Sequence, residues 1–259
     1  YTVGFNLSDY QSEVTKFDNE SKELGNWYVG QKQGEIWGYE TYGLFQSEQE
    51  IAGAANQDKV SGGIKLMPGD IRFVDRNNDG VIDWGDNTVD NPGDKKIIGN
   101  STPRYHYGIN LGADWKGFDL GIFFQGVGKR DLYLPGTSFR SHYGSEWQVP
   151  SAYNNDYWTE ENTGAYFPRA RFNGGSAINQ AQTRYMVDAS YCRLKSVSIG
   201  YTLPKVLTQK ASIEKIRIYF TGENLFTISD TPDGLDPELD NPYTYPMQRS
   251  LSVGLSLTF

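Results

Sequence analysis

The sequence predicts an all-β chain, and in particular part of an antiparallel transmembrane β-barrel with long extracellular loops. Apolar residues recur at period two rather than 3.6, which favours strands over helices. Aromatic residues make up 14% of the chain, and there are 29 glycines. Some connections between the predicted strands are a few residues long and others are very long, as in outer-membrane barrels. A soluble β-sandwich, whose strands also alternate, is the other fold that these patterns allow.

The clearest strand is the last one, RSLSVGLSLTF, at 249–259. One of its faces carries only small residues, most of them polar: Ser250, Ser252, Gly254, Ser256 and Thr258. The opposite face is apolar, with Leu251, Val253, Leu255, Leu257 and Phe259. A strand that faces lipid on one side and a polar interior on the other has this alternation.

The same division predicts further strands upstream. RYHYGINLGADW and FDLGIFFQG are separated only by Lys116 and Gly117, which indicates a tight hairpin. CRLKSVSIGYTLP and EKIRIYFTGENLF alternate in the same way, and YTVGFNL and EIWGYETYGLF do so less regularly. Aromatic residues near the strand ends suit belts at the two membrane interfaces: Tyr105, Tyr107, Trp115 and Phe118.

The strand order assigns the connections to two sides. If the last strand ends in the periplasm, counting backward puts 46–100, 131–190 and 227–248 outside the cell. The same count puts 10–34 in the periplasm, which is long for that side. Either an additional strand lies in this segment, around Val14 to Phe17, or the strand count is wrong.

Composition excludes several classes of function. A net charge of −8 argues against a nucleic-acid partner, because phosphate contacts need clustered lysine and arginine. The single cysteine, Cys192, cannot form an internal disulfide. His106 and His142 are the only histidines, and neither stands in a hydrolase motif, so we expect no enzyme activity. The chain begins at Tyr1 in mid-pattern, and we expect a processed form or a fragment.

The stretch DRNNDGVIDWGD, at 75–86, has the ligand spacing of a calcium loop. Its candidate ligands are Asp75, Asn77, Asp79, the backbone of Val81, Asp83 and Asp86. It departs from the pattern at the last position, which is aspartate instead of glutamate. The alternative is an acidic turn whose side chains bind their own backbone. We expect Asp70, Asp90 and Asp94 nearby to be solvated.

Aromatic residues in SHYGSEWQVPSAYNNDYWTEEN are the candidates for substrate contact. They are Tyr143, Trp147, Tyr153, Tyr157 and Trp158. Their faces can stack on sugar rings or on peptide side chains. For any single one of them, packing inside the loop is the stronger expectation, because long ordered loops need internal cores.

Five ordered blocks resemble the C-terminal region of SusC/RagA-like TonB-dependent transporters. The blocks are PGDIRFVDRNNDGVID, IIGNSTPRYHYGINLGADWKGFDLGIFFQGVG, DASYCRLKSVSIGYTLP, IRIYFTGENLF and GLDPE. The resemblance implies that residues 1–259 form about seven or eight strands of a 22-stranded barrel. Nothing in the sequence matches the plug domain or the TonB box of that family.

The resemblance also implies a function and partners. It implies nutrient import across the outer membrane of a Gram-negative cell, with glycans as the first expectation and peptides as the second. A SusD-like surface lipoprotein would capture the ligand, and the TonB complex would act through the plug. The terminal Phe259 would belong to the signal that the barrel-insertion machinery reads.

Two points stay open beside the resemblance. Arg193 and Lys195 are expected to pair with acidic residues of the plug or of neighbouring strands rather than with substrate. A soluble, calcium-stabilised, carbohydrate-binding β-sandwich is the alternative function.

Overall fold

A computed structural model describes residues 1–133, 156–171, 176–208, 212–232, 234–239 and 244–259. Its strands are β1 (Thr2–Ser8), β2 (Glu35–Tyr39), β3 (Thr41–Leu44), β4 (Ile71–Phe73), β5 (Lys95–Asn100), β6 (Arg104–Trp115), β7 (Phe118–Lys129), β8 (Asp131–Tyr133), β9 (Met186–Asp188), β10 (Tyr191–Thr202), β11 (Lys215–Ser229) and β12 (Ser250–Thr258). Its short helices are α1 (Glu48–Ala52), α2 (Asp58–Ser61) and α3 (Lys205–Thr208), with 3-10 turns at Ala177–Asn179 and Thr183–Tyr185. Within the described ranges, no helix is long and apolar enough to span a membrane.

The chain divides into two compact units. The first comprises residues 1–11, 103–131 and 188–259, and the second comprises residues 12–102 and 132–187. The first unit contains a six-stranded sheet in the order β1-β6-β7-β10-β11-β12, in which every neighbouring pair is antiparallel. This arrangement confirms the predicted all-β, antiparallel class.

Strand register gives the sheet one apolar and one polar face. A row of directly paired apolar residues crosses five strands: Ala113, Leu120, Ile199, Phe220 and Val253. The next row, on the other face, contains Thr2, Gly112, Gly121, Ser198, Thr221 and Ser252. The apolar face is not covered by the unit itself, since Ile199 is 45% exposed and Val253 78%. Exposed apolar surface on this scale indicates a face that another apolar phase covers.

The sheet has six strands, fewer than the seven or eight expected. EIWGYETYGLF forms β2 and β3 instead, which pair with β5 and β4 in the second unit. At five and four residues they are too short to cross a bilayer, which takes about 9–11 residues in a tilted strand. Of the two explanations for the long segment 10–34, an additional strand near Val14 is not found, because that stretch forms only an isolated bridge between Glu13 and Lys32.

The direct pairing of β1 with β6 removes the difficulty with segment 10–34. Because the two strands are antiparallel neighbours, the whole connection between them leaves and returns at one end of the sheet. Segments 10–34 and 46–100 therefore belong to the same connection. The strand count that placed 10–34 in the periplasm was wrong, because it included EIWGYETYGLF as a strand of this sheet.

The predicted hairpin at Lys116 and Gly117 is confirmed. Both residues have positive φ, 47° and 91°, as the two-residue turns that match strand twist require. A Cβ atom at Gly117 would lie 2.7 Å from the carbonyl oxygen of Thr202. Glycine therefore suits this position, because it adopts positive φ without strain and has no Cβ atom to collide with Thr202.

The second unit has its own hydrophobic core. The core contains Tyr39, Leu44, Val60, Ile71, Phe73, Ile82, Trp158, Ala165, Phe167, Ala177, Ile178 and Tyr185. The short ribbons β2–β5 and β3–β4 contribute to it together with residues from both segments of the unit. Residues of the two long connections, 12–102 and 132–187, thus share one core. This agrees with the expectation that long ordered loops need internal packing.

Candidate functional site

A buried ion-pair cluster lies in the first unit around Arg193 of β10. The Arg193 side chain is 3% exposed, and its Nη2 lies 2.6 Å from Asp236 Oδ1, while Nη1 donates to Glu238. Its Nε donates to Thr227 Oγ1 on the neighbouring strand β11 at 2.8 Å. Both carboxylates come from the connection between β11 and β12, so the cluster fixes that connection to the sheet.

Glu238 collects further donors from the sheet. Lys195 Nζ lies 3.0 and 2.9 Å from its two carboxylate oxygens, and the Tyr191 hydroxyl donates at 3.1 Å. Gln125 Nε2 of β7 donates at 3.2 Å. Buried carboxylates persist only when they are paired and hydrogen-bonded, and these donors meet that need.

Relative to its neighbour β7, Lys195 is the extra residue of a β-bulge, because Leu194 and Ser196 pair with the adjacent residues Phe124 and Phe123. The register of β10 shifts between Leu194 and Ser196 on both neighbouring strands. In a regular strand, residues three positions apart lie on opposite faces. Because of the bulge, Leu194 and Val197 both lie on the apolar face, where they pair with Phe124 and Ile122. Bulges re-aim side chains in this way, and this one places a lysine beside the cluster.

Asp236 is held as a carboxylate by several donors. Burial alone would raise its pKa, but hydrogen bonds from Arg193 and from the backbone N–H groups of Met247 and Glu238 keep the pKa below its usual value. Arg130 Nη1 also donates to the carbonyl oxygen of Pro237 at 2.8 Å. Arg193 and Lys195 therefore pair with acids, as expected, although the acids belong to a neighbouring connection.

A second ion pair crosses the polar face of the sheet. Arg217 of β11 donates two hydrogen bonds to Asp119 of β7, with Nε 2.9 Å from Oδ1. The intervening strand β10 places Gly200 beneath the pair, where a Cβ atom would lie 2.5 Å from Arg217 Nε and from Asp119 Oδ1. Glycine at this position leaves room for the pair to bridge two strands that are not neighbours.

Substitution of Gly200 is expected to uncouple Asp119 from Arg217. The pair is partly exposed, so a double-mutant cycle with Asp119→Asn and Arg217→Gln should give a small, favourable coupling free energy. In a Gly200→Ala background the coupling should fall to zero. Gly121→Ala is the matched control, because a Cβ atom there would have no neighbour within 4 Å. Equal coupling in both glycine backgrounds would contradict this geometry.

The 75–86 loop closes on its own backbone. The Asp75 carboxylate accepts from the N–H groups of Asn78 and Gly80, at 2.7 and 2.9 Å, and Asp79 accepts from Val81 at 2.8 Å. Asn78 and Gly80 have φ of 60° and 83°, which gives the loop its tight turn. These contacts are those of the alternative reading, an acidic turn that caps its own backbone.

The last two candidate calcium ligands point to other partners. Asp83 Oδ2 lies 2.6 Å from Lys59 Nζ, and this hydrogen bond lowers the pKa of Asp83. Asp86 Oδ2 accepts from Asn91 Nδ2 at 2.8 Å. Within the described ranges, no three acidic, histidine or cysteine side chains converge on a common point. Among the six candidate ligands, Asn77 and Asp79 contact each other, with Asn77 Nδ2 2.8 Å from Asp79 Oδ2.

Two acidic residues expected to be solvated are buried. Asp94 is 0% exposed and accepts from the backbone N–H groups of Arg76 and Asp83, both at 2.8 Å, so it anchors the two ends of the loop. Burial raises its pKa. Asp70 is 1% exposed and pairs with Arg171 at 2.7 Å. Nothing in the spacing of these two residues distinguishes them from the exposed Asp90.

Calcium binding by this loop stays a prediction, and Lys59 gives it a sharp test. Extracellular sites of this type bind with dissociation constants of about 10⁻⁴ to 10⁻³ M. Because Lys59 occupies Asp83, Lys59→Met should tighten calcium binding in a calorimetric titration of the full-length protein. Crystals grown with calcium should show an anomalous peak among Asp75, Asn77 and Asp79. Absence of both the heat and the peak would remove the prediction.

The aromatic candidates for substrate contact have different outcomes. Tyr143, Trp147 and Tyr153 lie outside the described residues. Tyr157 is 37% exposed and stays a candidate. Trp158 is 3% exposed in the core of the second unit, and its Nε1 donates to Gln46 at 3.1 Å. Trp158 is therefore withdrawn as a contact residue, because its ring is already covered by the protein.

The six-stranded antiparallel sheet has the fold of part of a large β-barrel. Over 99% of its length the chain superposes on the structure of the RagAB peptide transporter with a TM-score of 0.70 and 22% identity, covering 27% of that chain. The 'open-open' state of the RagAB peptide importer gives a TM-score of 0.67 at 19% identity, covering 99% of this chain and 26% of that one. At these identities the likeness shows the fold alone.

Curated relatives give the family. TonB-dependent receptor P3 of Formosa agariphila is 31% identical over 248 residues, which is 89% of this chain and 22% of that protein. TonB-dependent receptor SusC of Bacteroides thetaiotaomicron is 29% identical over 194 residues, 72% of this chain and 17% of that protein. No family model matches the chain. The chain belongs to the SusC/RagA-like TonB-dependent transporters and spans about a fifth of the length of these relatives.

Proposed function

We propose that the full-length protein containing this chain imports nutrients across the outer membrane in a TonB-dependent manner. The observation that carries the proposal is the six-stranded sheet, with one exposed apolar face and one polar face, in a chain 31% identical to a TonB-dependent receptor. In this account the apolar face contacts lipid and the polar face lines the interior of the barrel. The relatives are named as receptors and transporters, which agrees with a function other than catalysis.

The partners follow from the same account. A SusD-like lipoprotein would deliver ligand to the extracellular side, and the TonB complex would act through a plug domain. An oligosaccharide is the first candidate substrate. A peptide is the second, supported by the two fold neighbours titled as peptide transporters or importers.

Uptake measurements test the proposal. A strain that lacks the gene should fail to accumulate a labelled oligosaccharide or peptide on which the parent strain grows. Full-length protein should restore accumulation, and the same protein without its TonB-interacting segment should not. Undiminished uptake and growth in the deletion strain, across both nutrient classes, would contradict the proposal.

The alternative, a soluble carbohydrate-binding sandwich, differs in a simple property. The exposed apolar row of the sheet should make the full-length protein dependent on detergent for a monodisperse state. A protein that stays monodisperse in aqueous buffer without detergent would favour the alternative.

Phe259 is proposed as part of the assembly signal. It is 82% exposed and continues the apolar alternation of β12, so it has no packing role within the described chain. Phe259→Ala should reduce the fraction of heat-modifiable, folded barrel in outer-membrane preparations, while the total amount synthesised stays the same. The control is Thr258→Ala, on the polar side of the same strand end. Equal folded fractions for the two variants would contradict the assignment.

A further inference from the structure

Four described arginines of the second unit, Arg72, Arg76, Arg169 and Arg184, have no acidic partner among the described residues, and two of them, Arg72 and Arg184, approach the same glycine. Elsewhere in the described chain, four arginines pair with a carboxylate: Arg104, Arg171, Arg193 and Arg217. Arg72 and Arg184 form no ion pair with any described residue, although acidic residues outnumber basic ones by 32 to 24. Unpaired guanidinium groups in an acidic protein are available for a ligand.

Arg72 is held by aromatic rings and not by hydrogen bonds. It lies on β4 directly opposite Gly43 of β3. Its Cζ is 5.1 Å from the centre of the Tyr42 ring and 5.8 Å from that of Phe45. Stacking of this kind fixes the plane of a guanidinium and leaves its N–H edge free. Tyr42 is 70% exposed, so solvent reaches this edge of the ribbon.

Arg184 approaches the same glycine from another segment. Its Nε donates to the carbonyl oxygen of Tyr166 at 2.7 Å, and Nη2 donates to that of Ala165. These two bonds fix the guanidinium. The third nitrogen, Nη1, lies 3.9 Å from the place where a Cβ atom of Gly43 would be.

Gly43 provides the gap between the two arginines. Its φ is 114°, which glycine tolerates, and Arg184 Nη1 is the nearest atom that an added Cβ would meet. Paired residues on neighbouring strands have Cβ atoms about 4.5–5.5 Å apart, so Arg72 emerges beside this gap. We call Tyr42, Gly43, Arg72 and Arg184 the Gly43 site.

We infer that the Gly43 site binds a carboxylate group of the imported nutrient. Arginine binds carboxylates with two parallel N–H···O bonds, and a guanidinium fixed beforehand loses little freedom on binding. The inference rests on the proposed import function and narrows its substrate to an acidic one. The carboxylate belongs to an acidic oligosaccharide or to an acidic peptide, and the experiment separates these two sources.

Binding to the purified full-length transporter in detergent tests the inference. The probes are an oligogalacturonate with a neutral maltooligosaccharide of equal length, and a glutamate-rich peptide with its glutamine counterpart. At least one acidic probe should bind more tightly than its neutral counterpart, and the acidic member of that pair identifies the source. Arg72→Gln should weaken that binding by about ten-fold or more, since it removes the hydrogen bonds from a charged group to the carboxylate.

The control is Arg76→Gln, which removes the same charge from an exposed arginine of the same unit. It should leave the affinity unchanged, and Arg184→Lys, which retains the charge but not the two-pronged geometry, should weaken it. The inference is overturned if neither acidic probe is preferred, or if the Arg76 and Arg72 variants lose affinity equally. Loss of lipoprotein association in Arg72→Gln, with probe affinity unchanged, would also overturn it. Retained import of a neutral nutrient would then leave the proposed function intact.

Discussion

Replacement of Arg193 by methionine is expected to release the connection between β11 and β12 from the sheet. The substitution leaves two carboxylates, Asp236 and Glu238, in a site where the side chains are 4% and 12% exposed. Breaking a buried ion pair from one side costs about 3–5 kcal/mol, because the remaining charge is uncompensated. The full-length protein in detergent should show a lower unfolding temperature and rapid proteolysis within 230–248.

Lys195→Met is the matched control for this prediction. Lys195 also pairs with Glu238, but its side chain is 27% exposed and Arg193 remains to compensate the carboxylate. The expected loss is therefore about 0–1 kcal/mol, as for a partly solvated pair. If the two variants resist the protease equally well, the cluster does not hold the connection in place.

Replacement of Trp158 by alanine is expected to unfold the core of the second unit. Its ring lies against the backbone of Gly69, where a Cβ atom would come within 2.6 Å of it, and Arg169 stacks on it at 4.7 Å. Truncation of a buried tryptophan costs about 3–5 kcal/mol. Hydrogen exchange of the amides in β3 and β4 should accelerate strongly in the full-length protein.

Tyr157→Ala separates packing from ligand contact. Tyr157 precedes Trp158 but is 37% exposed, so its truncation should change hydrogen exchange in these strands little. Its effect, if it contacts substrate, should appear in affinity. A Trp158→Ala protein that retains wild-type protection but loses affinity for the nutrient would restore Trp158 as a contact residue.

Local signals in the sequence were sufficient for the sheet. The apolar alternation of β12 and the Lys116-Gly117 turn depend on residues close together in the chain, and both were predicted from the sequence. The bulge at Lys195 was not predicted, since one extra residue simply interrupts the alternation. EIWGYETYGLF has the pattern of a barrel strand, but its pairing with β4 and β5 depends on distant residues.

The candidate site was less predictable for the same reason. Asp236 and Glu238 pair with Arg193 across more than forty intervening positions, and no spacing rule connects them. The GLDPE block that contains them was noticed only as part of a resemblance. The burial of Trp158 and Asp94 likewise follows from the packing of segments distant in sequence.

The apolar face of the six-stranded sheet is expected to contact lipid. Spin labels placed singly in a Cys192→Ser background of the full-length protein, reconstituted in bilayers, test it directly. Labels at Leu120, Ile199 and Phe220 should be accessible to oxygen and shielded from a water-soluble nickel reagent. Labels at Gly121, Ser198 and Thr221, on the polar face, should show low oxygen accessibility. Equal accessibility of both rows to the water-soluble reagent would contradict the account.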